Sequence, residues 1–182
     1  AWLLYRRLDN AAIIDVFWPI VIFTLNTVHL YWGYPHFGIP LVLLLIWSLR
    51  LGTFLAVTRV IPGHKDKRYS ELAKNWRNKS LFFFLNFQFQ GILALPLGFV
   101  LFPLRHTSGS TILLTIGASV AFVGLLIATV ADWQLWRFKQ ARQTGLCQVG
   151  LWSFSRHPNY LGEVVFWCGL SITTLMTNPL SW

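Results

Sequence analysis

The sequence predicts an all-α protein, a polytopic bundle of transmembrane helices, and three observations lead to this fold class. Of the 182 residues, 55% are hydrophobic and only 12% are charged, which is far more apolar than an ordinary soluble domain. The apolar residues fall into five runs of roughly 20 residues, the length that crosses a hydrocarbon core of about 30 Å. The charged residues lie in short clusters between these runs. A water-soluble globular protein is thereby excluded.

The predicted elements follow one another along the whole chain. Residues 2–8 are apolar up to Arg6 and Arg7 and resemble the inner end of a helix. The five predicted spans after this stub cover 11–31, 39–60, 81–102, 111–130 and 160–180. Because neither a repeat nor a second domain is evident, we expect residues 1–182 to form a single transmembrane domain.

Two of these helices carry additional signals. The helix that begins at Thr111 should continue beyond the bilayer, because residues 131–143 contain neither glycine nor proline. The last helix should begin at Pro158, since the fixed φ and the missing N–H of proline suit a first helical turn. The sequence therefore predicts one helix that projects from the membrane and one with a well-defined start.

The Lys and Arg residues predict the orientation of the chain. The formal net charge is +9, from 15 Lys and Arg against 6 Asp and Glu, an excess also found in nucleic-acid-binding proteins. Here, however, the basic residues concentrate in the loops 61–80 and 131–158, whereas 32–38 has none. By the positive-inside rule the two basic loops are cytoplasmic and 32–38 is on the opposite side. We therefore expect the lipid bilayer, and not a nucleic acid, as a partner.

Polar residues inside the spans are the first candidates for function, because each is costly in lipid unless it is paired. Three of them are charged, Asp15, Arg50 and Glu163, and each needs a counter-charge, a water-filled cavity or a polar ligand. The uncharged ones are interpreted as hydrogen-bonding groups between helices. These are Asn26, Asn86, Gln88 and Gln90.

The stretch 155–163 is the most informative part of the chain. Arg156 stands beside a predicted helix N-terminus, where unpaired N–H groups and the helix dipole favour a phosphate. Asn159 and Glu163 are four residues apart and share one face of that helix. This combination suits a nucleotide with a polar ring. The alternative is that Arg156 and His157 are ordinary residues of the membrane interface.

The two basic loops add cations to this stretch. If the loops lie on one side of a helix bundle, four side chains could converge on a polyanionic ligand, and lipid headgroups would use the same charges less specifically. The four are Arg68, Arg137, Lys139 and Arg156.

Metal and disulfide chemistry is not indicated. The chain has no G-x-G-x-x-G, P-loop or H-E-x-x-H motif, and its five histidines are scattered over different depths, so we expect no metal site. Cys147 lies in a basic connection and Cys168 in an apolar run, which makes a disulfide between them a poor prediction.

Five stretches of the chain together resemble one family. They are Asp15-Val16-Phe17-Trp18, Leu45-Ile46-Trp47-Ser48-Leu49-Arg50-Leu51-Gly52, Asp66-Lys67-Arg68-Tyr69, Ala131-Asp132-Trp133-Gln134-Leu135-Trp136-Arg137-Phe138-Lys139 and Gly150-Leu151-Trp152-Ser153-Phe154-Ser155-Arg156-His157-Pro158-Asn159-Tyr160-Leu161-Gly162-Glu163. In this order they resemble the steroid 5-alpha-reductase-like membrane proteins. That family lies within the superfamily of steroid and sterol reductases and isoprenylcysteine methyltransferases.

The resemblance implies a seven-helix bundle that binds NADPH from the cytoplasmic side and reduces a lipid-like substrate admitted from the membrane. It also implies one helix before Arg6 and, after Trp182, a further helix and a tail that contributes to the cofactor site. Asp15 resembles the buried Glu that, with a Tyr, polarises the substrate ketone in the steroid reductases. The position of that Tyr falls near Leu49 and Arg50. The implied cofactor-binding residues are Arg68, Tyr69, Asp132, Arg137, Lys139, Arg156, Asn159, Tyr160 and Glu163.

The leading functional hypothesis is NADPH-dependent reduction of a carbon–carbon double bond conjugated to a carbonyl in a hydrophobic substrate. A protonated Asp15, with Arg50 nearby, would stabilise the enolate oxygen. A second hypothesis is methyl transfer from S-adenosylmethionine, because the stretch around Arg156 and Asn159 is shared across the superfamily. A third is a non-catalytic subunit of a larger membrane complex.

Overall fold

The computed structural model describes residues 1–33, 38–63, 67–106, 111–141 and 144–175. Within these ranges the chain forms seven α-helices and no β-strand, which confirms the all-α prediction. The helices are α1 (Trp2–Leu8), α2 (Ile13–Gly33), α3 (Ile39–Leu55), α4 (Lys67–Leu72), α5 (Lys79–Gly98), α6 (Thr111–Gln140) and α7 (Pro158–Ile172). A π-helical turn (Ala56–Val60) extends α3, and 3₁₀ turns lie at Phe102–His106 and Gly150–Ser153.

Four helices are long and apolar enough to cross a membrane. They are Ile13–Tyr31, Ile39–Val60, Lys79–Gly98 and Thr111–Gln140, and they correspond to the first four predicted spans. Many of their large apolar side chains are exposed, as expected of helices that face lipid. The protein is therefore an integral membrane protein.

The ends of α5 differ from the predicted span 81–102. The helix begins earlier because the side chain of Asn78 caps it, accepting a hydrogen bond from the Leu81 N–H at 3.0 Å. It also ends earlier, at Gly98, because Phe99 leaves the helical conformation, with φ of −111° and ψ of 5°. Residue 102 instead opens a separate 3₁₀ turn.

The remaining helix predictions concern α1, α6 and α7. The stub 2–8 is helical, and α1 ends where Asp9 adopts the left-handed conformation, with φ of 47°. The 30 residues of α6 give a length of about 45 Å, longer than the hydrocarbon core. Helix α7 begins at Pro158 as predicted, and its 15 described residues are about 22 Å long. Residues 176–180 of the predicted fifth span lie outside the described residues.

The described residues of 1–35 and 44–99 form a first compact unit. Its core contains Ile13 and Ile14 at the start of α2, and Phe83 and Phe87 on one face of α5. Helix α1 packs on the same face of α5, with the Tyr5 and Phe83 rings 4.5 Å apart. These contacts hold the N-termini of α2 and α5 together.

The described residues of 36–43 and 100–182 form a second unit, dominated by the pair α6 and α7. A Cβ atom built on Gly124 would overlap the backbone nitrogen of Phe166, and one built on Gly162 would overlap that of Ala128. The backbones of the two helices therefore touch directly. Small residues that allow this approach are typical of helix contacts in membranes.

Candidate functional site

The end of α6 and the start of α7 form one side of a cleft in the second unit. The 3₁₀ turn before α7 is attached to α6 by two hydrogen bonds. Trp152 Nε1 donates to the carbonyl of Ala131 at 2.9 Å, and the Leu151 N–H donates to Gln134 Oε1 at 3.0 Å. Gly150 has φ of 59° and lies so close to the Gln134 side chain that a Cβ atom would collide with it. These contacts fix the loop that closes the cleft.

The cleft has a volume of about 1160 Å³ and carries positive charge. Lys139 from α6 and Arg156 from the loop both line it, and both are exposed. His157 also lines it and is the N-cap residue of α7, so the positive end of the helix dipole begins here. The other lining residues are Leu135, Phe138, Gly145, Leu146, Cys147, Gln148, Trp152, Ser153, Phe154 and Ser155. This electrostatic environment favours an anionic ligand.

Asp132 and Asn159 form a hydrogen-bonded pair within three residues, along the chain, of residues that line the cleft, although neither lines it. Asn159 Nδ2 donates to Asp132 Oδ1 at 3.1 Å, and Asp132 is buried. The Oδ1 atom of Asn159 is enclosed and accepts no hydrogen bond from the described part of the chain. An enclosed amide oxygen of this kind can accept from a ligand N–H or O–H group.

The structure places the other predicted residues of this unit as follows. Glu163 lies half-buried on α7, one turn after Asn159. Tyr160 is exposed, and its ring stacks on that of His157 with centroids 5.3 Å apart. Arg137 is exposed on α6, with its guanidinium 5.3 Å from the centre of the Trp133 ring, and it does not line the cleft. Thus Lys139 and Arg156 share the cleft, and Asp132 and Asn159 are in contact.

A second polar cluster lies in the first unit and is centred on Asp15. One carboxylate oxygen, Oδ2, accepts a hydrogen bond from Arg59 Nη1 at 2.7 Å. The other, Oδ1, accepts from the Tyr69 hydroxyl at 2.7 Å. Gln90 Nε2 donates to the Tyr69 hydroxyl at 3.3 Å and to Asn86 Oδ1 at 3.0 Å. We call these five residues the Asp15 cluster.

Arg59 is a member of this cluster that was not predicted from the sequence. The sequence hypothesis names Arg50 near Asp15, and the structure shows an ion pair of Asp15 with Arg59. Arg50 lies half-buried on α3. The depth of each residue in its span could have identified Arg59. Asp15 opens the first span and Arg59 ends the second, so antiparallel helices bring both to the same depth.

Three further predictions concern this unit. Asn26 is buried and donates from α2 to the carbonyl of Leu97 in α5 at 2.9 Å, which confirms its role as an interhelical hydrogen-bonding group. Gln88 is exposed. Arg68 belongs to α4, and its side chain lies outside the described part of the structure.

Comparisons with known proteins identify the family. The model of DUF1295, described as a protein of unknown function, matches residues 1–182. No curated protein and no solved structure matches the chain. Since the match extends over its whole length, the chain belongs to the DUF1295 family.

Proposed function

We propose that this protein is an NADPH-dependent membrane reductase that reduces a carbon–carbon double bond conjugated to a carbonyl in a steroid- or isoprenoid-like substrate. The proposal is supported by the resemblance of five stretches of the chain to steroid 5-alpha-reductase-like proteins and by the cleft of the second unit. The positive charge of the cleft is the observation that favours NADPH as the cofactor.

The charge of the cleft favours NADPH over S-adenosylmethionine. NADPH is a polyanion with three phosphate groups, whereas the methyl donor carries a sulfonium and an ammonium group that cations repel and a single carboxylate that they attract. Lys139, Arg156 and the N-terminus of α7 present positive charge to the same space. A polyanion gains from all three, whereas the methyl donor has only one carboxylate to pair with them and its two cationic groups are repelled.

The residues present also fit the size and polarity of a dinucleotide. A volume of about 1160 Å³ is slightly larger than the roughly 300–1,000 Å³ of ordinary small-molecule sites. Lys139 and Arg156 would hold phosphate groups, and the enclosed Oδ1 of Asn159 would accept from a hydroxyl or amide of the cofactor. Asp132 orients the Asn159 amide through their 3.1 Å hydrogen bond. When bound, NADPH would supply the hydride that the reduction needs.

The protein must also stabilise the substrate oxygen. When a conjugated carbonyl accepts hydride at its β-carbon, negative charge develops on the oxygen, and a preorganised donor or cation lowers the barrier. The Asp15 cluster contains an arginine at the end of the second span, which is hydrogen-bonded to Asp15 at the start of the first span.

The orientation in the membrane is part of the proposal. We place the loops 61–80 and 131–158 in the cytoplasm, because they carry the basic residues. Single cysteines at Arg77 and at Gly38, in a background with Cys147→Ser and Cys168→Ser, should react with an impermeant maleimide from opposite sides of sealed vesicles. Labelling of both from the same side would contradict the orientation.

Calorimetry on the purified protein in detergent tests the cofactor. We expect NADPH to bind more tightly than S-adenosylmethionine. Arg156→Ala and Asn159→Ala should each weaken NADPH binding by roughly 10- to 150-fold, the equivalent of about 1.5–3 kcal/mol for one charge-assisted contact. Arg77→Ala, which removes an exposed arginine that does not line the cleft, is the matched control.

Two outcomes would redirect the proposal. A preference for S-adenosylmethionine would favour the methyltransferase hypothesis. Absence of binding by either cofactor to the folded full-length protein would favour a non-catalytic membrane subunit.

A further inference from the structure

The side of α6 that is turned away from α7 forms a continuous exposed stripe. Its members recur every three or four residues, the spacing of one helix face, and all of them are exposed. The small residues of α6 that contact α7, such as Gly124 and Ala128, lie on the opposite face. We call the exposed set the α6 outer stripe. It consists of Phe122, Leu126, Val130, Trp133 and Arg137.

The outer stripe changes from apolar to polar at the level where α6 leaves the hydrocarbon core. The roughly 20 residues 111–130 carry no charge, and at about 1.5 Å per residue they cross a core of about 30 Å. The boundary therefore lies near Val130 and Trp133, and Arg137 is one turn, or about 6 Å, further out. This order of side chains matches the order of acyl chain, interface and headgroup in one leaflet.

Other aromatic side chains mark the same boundary. Trp136 is exposed on the next turn of α6. Helix α7 begins beside this part of α6, because Asn159 Nδ2 donates to Asp132 Oδ1 at 3.1 Å, and the following residue, Tyr160, is exposed. Exposed Trp and Tyr side chains at one level are typical of the membrane interface. The depth obtained from helix length and the depth obtained from the aromatic residues thus agree.

Trp133 restrains the cation of the outer stripe. The guanidinium carbon of Arg137 is 5.3 Å from the centre of the Trp133 ring, within the distance of about 6 Å over which a cation and an aromatic ring attract each other. Among the described residues no carboxylate forms an ion pair with Arg137. A restrained cation loses less side-chain entropy when it binds an anion. Arg137 is thus prepared for a negative group at headgroup level.

The outer stripe is separate from the cleft. Lys139 follows Arg137 by two residues and therefore lies about 200° further around α6. Lys139 lines the cleft, and Arg137 does not. The two cations of this turn therefore serve different ligands.

We propose that the outer stripe binds an anionic phospholipid of the surrounding bilayer, with Arg137 on its phosphate and an acyl chain along Val130, Leu126 and Phe122. The distance from Trp133 to Phe122 is about 16 Å, roughly half of the hydrocarbon core and hence the depth of one leaflet. Trp133 is the positioning residue that holds the guanidinium at the level of the phosphate. This inference goes beyond the proposed reductase function and does not depend on it.

Photochemical cross-linking from the stripe identifies the lipid that occupies it. The photoreactive residue p-benzoylphenylalanine takes the place of Val130, and the protein is placed in nanodiscs of equimolar dioleoylphosphatidylglycerol and dioleoylphosphatidylcholine. Mass spectrometry then counts the two adducts. We expect a roughly 5-fold excess of phosphatidylglycerol adducts, which corresponds to about 1 kcal/mol for one basic residue near an anionic lipid. Equal amounts of the two adducts would overturn the proposal.

Variants of the pair test the role of each member. Arg137→Gln should bring the adduct ratio close to one, whereas Arg137→Lys should keep most of the excess because it retains the charge. Trp133→Leu should lower the ratio about 2-fold, and Trp133→Phe, which keeps an aromatic ring, should restore it. Arg77→Gln removes the same charge from the first unit and is the matched control, with no expected change. An unchanged ratio in Arg137→Gln would assign the lipid preference to another group.

A second cross-linking position separates a local site from a general effect of charge. Ile112 is exposed near the other end of α6 and on the same face, about 27 Å from Val130. The adduct ratio measured there should not respond to Arg137→Gln, and an equal fall at both positions would contradict a site at Arg137.

NADPH calorimetry on the same variants distinguishes this proposal from the reductase. Because Arg137 does not line the cleft, Arg137→Gln should leave NADPH affinity unchanged. A loss of NADPH affinity with an unchanged adduct ratio would assign Arg137 to the cofactor and refute the lipid site. An Arg137-dependent lipid preference in a protein that binds no NADPH would refute the reductase alone.

Discussion

The helices of the second unit meet at glycine and alanine, backbone against backbone, whereas those of the first unit are connected by polar and aromatic side chains. In the pair α6 and α7, Gly124 and Gly162 lie against the backbone of the other helix. In the first unit, Asp15, Arg59 and Tyr69 connect α2, the end of α3 and α4. Lipid provides no hydrophobic force between helices, so close packing and hydrogen bonding must supply the attraction.

The two arrangements should differ in the substitutions that they tolerate. A glycine contact depends on shape, so that one added carbon is enough to separate the helices. A polar cluster depends on charge and hydrogen bonding, so that an isosteric change preserves part of it. The four predictions below test this difference, from the largest expected effect to the smallest.

Gly124→Ala should have the largest effect. Its Cβ atom would overlap backbone atoms of Phe166, which cannot move without displacing α7, and we expect a loss of about 3 kcal/mol or more. Gly91→Ala in α5 is the matched control, because no atom lies within 4 Å of its Cβ position. It should be neutral or stabilise by up to roughly 1 kcal/mol. Unfolding in mixed micelles, followed by circular dichroism, measures both, and equal losses would contradict the packing argument.

Asp15→Leu should cost less, about 2 kcal/mol. It removes the acceptor of two hydrogen bonds and leaves the Arg59 guanidinium without its carboxylate. Because Arg59 is 39% exposed, the cost stays below the roughly 3–5 kcal/mol of a fully buried ion pair. Asp15→Asn keeps the shape and one acceptor and should cost about half as much. Thermal melts in detergent check this order, and a larger loss for Asn than for Leu would show that the retained shape and hydrogen-bond acceptor do not matter here.

Asn26→Leu should cost about 1 kcal/mol. The Asn26 amide donates across the α2–α5 contact to Leu97, and such hydrogen bonds in membrane proteins average below 1 and reach almost 2 kcal/mol. Thr24→Val is the control, since Thr24 is exposed and its hydroxyl donates only to the carbonyl of Ile20 in its own helix. Its unfolding midpoint should not change. A Thr24 effect as large as that of Asn26 would remove the distinction between interhelical and local hydrogen bonds.

Lys74→Gln should have the smallest effect, below about 0.5 kcal/mol. Lys74 and Glu71 form an ion pair of 3.9 Å in which both side chains are 72% exposed. Water and salt screen such a pair, and holding two long side chains costs entropy. The same melts apply, with 0.5 M salt added as a second condition. A loss comparable to that of Asp15→Leu would mean that burial does not set the strength of ion pairs in this protein.

Which residues of the candidate site could be predicted depends on whether their positions are set by neighbouring residues in the chain. The start of α7 at Pro158 was predicted correctly, because proline at the first helical position acts within one turn. The stretch around Arg156 and Asn159 was selected on the same local grounds, and Arg156 lines the cleft while Asn159 contacts Asp132. Arg137 was selected with them but lies on the Trp133 ring, since the rotation of α6 about its axis decides which side chains reach the cleft.

By itself the sequence determined the fold class, four membrane spans, the helical stub, the length of α6 and the first residue of α7. Each depends on hydropathy, chain length or a cap, which act over a few turns of helix. Only the tertiary structure decided that Arg59 pairs with Asp15, that Tyr69 donates to the same carboxylate, and that Gly124 and Gly162 bring two backbones together. Hydropathy fixes the depth of a residue along its span, whereas these contacts depend on how each helix is rotated against its neighbours. That rotation is set by side-chain packing and hydrogen bonds between segments far apart in the chain.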